Sequence, residues 1–207
     1  MKFYLSSFRL GDTPQKFADL FGENKKVAVI ANAADTKSDA ERKISVQNEI
    51  DWLREIGLEP EEFDLRNYFT NNSKLFSDFK KFDGVWVRGG NSFVLGRAFY
   101  QSSFDSVLDE YNMNKKEFVY GGYSAGVCVL ASDLIGIERV DDPNIVPKGY
   151  MKKVIWEGIG IIDFHFAPHF RSNHPETQLV EETVNLWKAQ GINFKALRDG
   201  EVIIIEN

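Results

Sequence analysis

Phe118-Val119-Tyr120-Gly121-Gly122-Tyr123-Ser124-Ala125-Gly126-Val127-Cys128 is the stretch that decides the fold. An apolar strand-like run, Phe118 to Tyr120, enters it, and an apolar helix-like run, Val127 to Ala131, leaves it. Strand, tight turn and helix are the context of a nucleophile elbow. Glycines on both sides of Ser124 let the backbone reverse without a Cβ clash, which sets the hydroxyl at the carboxyl end of a strand and the N-terminus of a helix. Unpaired backbone N–H groups gather there and can stabilise an oxyanion. The alternative is an ordinary βα turn whose serine only caps the helix.

Working outward, further β-rich apolar runs occur at Phe3 to Leu5, Val27 to Ala31, Glu62 to Leu65, Gly84 to Val87, Ile159 to Phe166 and Val202 to Ile205. Amphipathic segments separate them. Val46, Ile50 and Leu53 share a helical face within Asp39 to Ile56, and Val180, Val184 and Trp187 do so within Pro175 to Gln190. Ser38 or Asp39 is placed to cap the first of these, while Gly57 and Gly191 are stop signals. The alternation predicts an α/β fold: one domain over residues 1–207, with a mostly parallel sheet covered by helices on both faces. The long irregular stretch Glu138 to Lys153 reads as an excursion, either functional or a plain surface hairpin.

Apolar residues at 43% and charged residues at 27% are those of a folded globular chain. A net charge of −6 argues against a nucleic-acid partner, which calls for a basic face. No run approaches the ~18 apolar residues of a membrane span, and the amino terminus lacks a signal-peptide core. Cys128 is the single cysteine, so no intramolecular disulfide forms, and a reducing, cytoplasmic setting is expected.

A serine hydroxyl needs a base within reach. The histidines are His165, His169 and His174. His165 lies inside a strand-like run, whereas His169 follows Ala167-Pro168, where that strand should end. Chemistry in open α/β sheets gathers beyond the carboxyl ends of strands, which favours His169. His174, in Asn173-His174-Pro175-Glu176, suits a capping or substrate contact. Asp199, in the turn Leu197-Arg198-Asp199-Gly200, is placed to orient the base, although Asp-Gly is also a common hairpin turn. Glu201, Asp163, Asp141 and Asp142 are competing carboxylates. A second strand-glycine-helix turn, Val87-Arg88-Gly89-Gly90-Asn91-Ser92-Phe93, offers the Gly90 N–H to join that of Ala125 as oxyanion donors. No cysteine or histidine cluster has metal-site spacing, and no cofactor or metal is expected.

Together these motifs resemble the peptidase E family of serine peptidases, which includes aspartyl dipeptidases and is related to cyanophycinases. The resemblance rests on Gly89 to Asn91, Gly122-Tyr123-Ser124-Ala125-Gly126, Pro168-His169-Phe170 and the acidic turn at Asp199. It implies a flavodoxin-like fold shared with class I glutamine amidotransferases, with Ser124 as nucleophile, His169 as general base and Asp199 as orienting acid. Two positions depart from the family pattern. Arg88 stands where a third glycine is common, and Gln178 follows Glu176-Thr177 where the aspartyl dipeptidases carry a substrate-binding arginine. Arg88, Asn91, Arg171 and Gln178 are the expected substrate-binding residues, with a weakened or altered preference for aspartate.

The expected partner is a small peptide, with a homodimer also considered. Two rivals stand beside the peptidase reading. An α/β-hydrolase esterase shares Gly-x-Ser-x-Gly but takes its acid before its histidine, as Asp141 or Asp142 would supply. A catalytically silent relative would bind a small peptide or metabolite, its serine lying far from any histidine nitrogen.

Overall fold

A computed structural model describes residues 1–114 and 117–206. Its elements run β1 (Lys2–Ser6), α1 (Pro14–Asp19), β2 (Lys26–Ile30), α2 (Asp39–Glu55), β3 (Glu59–Glu62), α3 (Leu75–Phe79), β4 (Gly84–Val87), α4 (Ser92–Ser102), α5 (Phe104–Asn114), β5 (Val119–Tyr123), α6 (Ala125–Cys128), β6 (His165–Ala167), α7 (Thr177–Gln190), β7 (Phe194–Ala196) and β8 (Val202–Ile205). Six strands form the central sheet in the order β3-β2-β4-β5-β1-β8. All pairings are parallel except that of β1 with the edge strand β8.

Side chains alternate across the sheet with period two, and each set has its own helical cover. Phe3, Leu5, Ala28, Ile30, Val85, Val87 and Tyr120 face a core completed by α3, α4, α5, α6 and α7. Tyr4, Val27, Val29, Trp86, Val119 and Tyr123 face Phe17 of α1 and Leu53 of α2. This is the flavodoxin-like arrangement expected. The chain moves from β2 outward to β3 and then back across to β4, so the order reverses at the carboxyl ends of β2 and β4. Such a switch point leaves a crevice in which chemistry can be placed.

Local signals account for the two long helices outside the apolar core of the sequence. Ser38 and Glu41 form a reciprocal capping box at the start of α2. Gly191 ends α7 in the left-handed conformation, with φ 69°.

Two expected strands fall differently. The segment expected as a strand at Glu62 to Leu65 pairs three residues earlier, as β3, where an edge position tolerates its charged side chains. Phe63 and Leu65 turn inward to the core instead. The run Ile159 to Phe166 does not enter the central sheet. The Ile159, Gly160 and Ile161 N–H groups donate to the Val129, Ala131 and Leu130 carbonyls behind α6, so their backbone polarity is satisfied without a ladder. Only its last residues become strand, as β6, and β6 pairs in parallel with β7 in a separate two-stranded sheet.

Candidate active site

Ser124 follows β5 and precedes α6 with φ 50° and ψ −118°. A residue with a Cβ rarely holds this conformation, and doing so costs on the order of 1–3 kcal/mol. Close packing imposes it. A Cβ on Gly126 would lie 2.2 Å from the Val87 carbonyl oxygen, and one on Gly89 would lie 3.0 Å from the Ser124 Cβ. The two glycine turns therefore abut, and only glycine lets them. At Gly90, φ is 145° and a Cβ would meet the Ala33 carbonyl oxygen at 2.4 Å. Among the described residues neither the Gly90 N–H nor the Ala125 N–H has a hydrogen-bond acceptor. Both expected oxyanion donors are thus unengaged beside Ser124.

His169 emerges just beyond β6 and is 2% exposed. Its Nδ1 lies 2.6 Å from the Asp199 carboxylate, which emerges just beyond β7. The Nδ1–H donates to Asp199, leaving Nε2 as the basic nitrogen. Burial holds the His169 pKa below the ordinary imidazole value, with Asp199 opposing. None of the competing carboxylates touches this histidine among the described residues. Asp141 accepts the Ser92 N–H at 2.8 Å, Asp142 accepts that of Asn144, and Glu201 accepts that of Arg198. His165 pairs with Asp133 at 2.9 Å, away from the elbow.

The segment before His169 and the elbow share one narrow pocket of about 10 Å³, at the lower limit for one water. Ser124, Ala167, Pro168, Asp141 and Glu176 are among the residues that wall it. No hydrogen bond joins the Ser124 hydroxyl to His169 among the described residues. Burial pushes the Asp141 pKa up to about 6 and raises that of Glu176. Cys128, one turn beyond Ser124, is buried with its thiol pushed up by desolvation, as an inert core residue should be.

The four residues expected to meet substrate are less uniform. Arg88 faces the buried Glu49 at 3.3 Å, so its charge is already matched. Asn91 caps α4, accepting the Val94 N–H at 2.9 Å. Gln178 is on the outer face of α7, donating to Glu182 at 3.4 Å. Arg171 is exposed, its guanidinium 5.0 Å from the centre of the Phe170 ring.

Several contributors carry no local signal. The Ser7 hydroxyl accepts the His169 N–H at 2.8 Å and donates to Asp199 at 3.0 Å. Phe8 lies edge-on to His169, His174 and Tyr123. Glu49 takes the Tyr123 hydroxyl at 2.7 Å and the Trp86 indole N–H at 2.8 Å, tying α2 to the residue before Ser124. His174 stacks on His169, with centroids 3.6 Å apart and planes 7° apart.

The profile of Peptidase family S51 matches residues 5–207. The chain belongs to this family. It is accordingly a serine-type peptidase, and the resemblance to peptidase E holds. Its fold also relates it to two solved structures. One is a 1.5 Å crystal structure from Listeria monocytogenes EGD-e, of a protein provisionally named peptidase E. It is 21% identical with a TM-score of 0.73, and the match covers 100% of this chain and 98% of that one. The other is a peptidase from an acI-B1 actinobacterium, 14% identical with a TM-score of 0.61, covering 99% and 83%. No curated protein matches this S51 chain. No helix among the described residues is long and apolar enough to cross a membrane.

Proposed function

We propose that this S51 peptidase removes residues from the amino terminus of short peptides through Ser124, His169 and Asp199. The observation that carries the reading is the buried His169–Asp199 contact at 2.6 Å, with a serine held at φ 50° on the wall of the pocket that Pro168 and Glu176 also line. His169 Nε2 takes the Ser124 proton as Oγ attacks the scissile carbonyl, and Asp199 holds the imidazolium that forms. The Gly90 and Ala125 N–H groups receive the oxyanion. Collapse breaks the C–N bond, and His169 returns its proton to the leaving amine. Water then repeats the sequence on the acyl-enzyme. The Ser124–His169 hydrogen bond forms on substrate binding, since such contacts are often long in the free enzyme.

The exopeptidase assignment comes from the two carboxylates, Asp141 and Glu176, that line the same pocket as Ser124 and suit a terminal ammonium group. Preference for aspartate is weak in this reading. Gln178 faces outward and Arg88 is matched by Glu49, which leaves Arg171 as the remaining arginine of those proposed to bind a substrate carboxylate.

Alanine at Ser124 or at His169 should cost at least about a thousandfold in kcat, and the double variant little more, because the two act as a unit. A fluorophosphonate probe should label Ser124 in the native protein, and chelators should leave peptide hydrolysis intact. Comparing kcat/KM for Asp-Leu, Asn-Leu and Ala-Leu, in the native enzyme and in Arg171→Ala, tests the specificity. Strong selectivity for Asp-Leu that survives in Arg171→Ala would refute it, and turnover of esters but not dipeptides would favour the esterase.

A further inference from the structure

We propose that Arg9 binds the carboxyl-terminal carboxylate of the substrate, so that the preferred peptide is a dipeptide whose two ends are held on opposite faces of the central sheet. The inference rests on the peptidase reading of Ser124 and His169. It begins from the turn that follows β1. The Phe8 ring lies edge-on to His169 and to Tyr123, with centroids 5.5 Å and 6.1 Å away. The Arg9 guanidinium is 4.8 Å from the centre of the Phe8 ring and 4.8 Å from that of Trp52 in α2. One aromatic ring therefore separates it from the proposed base.

The fold fixes Arg9 in this pose and leaves its charge unspent. Its backbone has φ 50°, a conformation that a residue with a Cβ rarely adopts, and Ser124 and His169 share it at 50° and 59°. Such strain gathers at functional sites. The turn is pinned on its far side, where the Tyr4 hydroxyl donates to the Leu10 carbonyl at 2.6 Å and the Gly11 N–H to the Phe8 carbonyl at 3.1 Å. Stacking on aromatic rings holds the guanidinium while its N–H edge stays free to pair. Among the described residues no hydrogen bond takes those donors, and no carboxylate lies within 4 Å of them. Glu49 does not consume this charge, because Arg88 faces it at 3.3 Å and the Tyr123 and Trp86 donors occupy its oxygens.

Position selects the ligand. The pocket with Asp141 and Glu176 is walled by Cys128, Val180 and Trp187, which belong to the core on one face of the central sheet. Phe8 and Tyr123 pack with the core on the other face. Ser124 stands between them at the end of β5. With the ammonium group on the first side, the leaving residue projects toward the second, and in a dipeptide its carboxylate is only about 3.5 Å beyond the scissile carbon. An arginine fork meets that group with two charge-assisted hydrogen bonds. A longer peptide presents a neutral amide at the same place, whose single oxygen cannot match the fork and whose N–H opposes it.

The test compares kcat/KM for Ala-Leu and for Ala-Leu-amide in the native protein, in Arg9→Gln and in Arg9→Met, which keeps an unbranched stem against the two rings. Each variant is checked for folding by circular dichroism. Ala-Leu carries a single carboxylate, so no side-chain acid enters the comparison. The native enzyme should favour the free acid at least about tenfold, and both variants should cut that preference below about threefold. A purely structural role for Arg9 would slow both substrates together and leave their ratio alone. A native ratio near one, or a ratio preserved in a folded variant, overturns the proposal. Calorimetric binding of both peptides to Ser124→Ala, with and without Arg9→Gln, separates this failure from that of the peptidase reading. If the native protein hydrolyses neither peptide, that reading falls. Tighter binding of Ala-Leu than of its amide, lost with Arg9→Gln, would then keep the carboxylate site, and equal binding would remove it.

Discussion

At the scale of single residues, Ser124 trades backbone comfort for exposure of its hydroxyl. Gly populates positive φ without that cost, although it also gives the unfolded chain more freedom. Ser124→Gly should therefore be inactive yet at least as stable as the native protein, by up to about 1 kcal/mol in chemical denaturation. A clear loss of stability would show that the hydroxyl, and not the backbone, is what the fold needs there. In the proposed reaction His169 sets the pH behaviour. Burial lowers its pKa, so the neutral base persists below the ordinary imidazole value, and the acid limb of kcat/KM should have its midpoint below about pH 6.5. Asp141, pushed up to about 6, ionises over the same range and should steepen that limb toward two protons. The sign for stability is the same. The unfolded chain binds a proton at this histidine more readily than the folded one, so its contribution is complete above the unfolded value and is lost as the pH falls through the folded one.

Between elements, one hydroxyl joins three segments. Ser7, just past β1, holds the backbone of His169 and the carboxylate of Asp199. Ser7→Ala leaves a buried N–H unpaired and should cost about 1–3 kcal/mol by denaturant midpoint, with kcat reduced as the histidine loses its fixed pose. A variant of unchanged kcat would confine Ser7 to a structural role. This contact spans 162 positions and has no signature in the chain. The elements that could be read beforehand carry their cause locally: the capping box of α2, the glycine stop of α7, the glycines that frame Ser124. What escaped reading was decided at a distance. Ile159 to Ile161 has the composition of a strand, but the carbonyls behind α6 claim its N–H groups first. The carboxylate beside His169 was legible as one of several; what excludes the others is where the loops carry them. The convergence of His174 and Glu176 on His169 likewise depends on a loop conformation, including φ 59° at His169 and 51° at Arg171.

For the molecule as a whole, the proposed catalytic parts divide between two sheets. The elbow closes the central sheet, whereas His169 and Asp199 leave neighbouring ends of β6 and β7. Proton NMR should accordingly find a far-downfield Nδ1–H resonance that persists in Ser124→Ala and vanishes in Asp199→Asn. Its loss in Ser124→Ala would mean that the pair depends on the elbow. Since β6, α7 and β7 carry the proposed acid and base as one crossover unit, their spacing is set within that unit, and the Ser7 hydroxyl is the tether through which a shift of the central sheet would reach both at once.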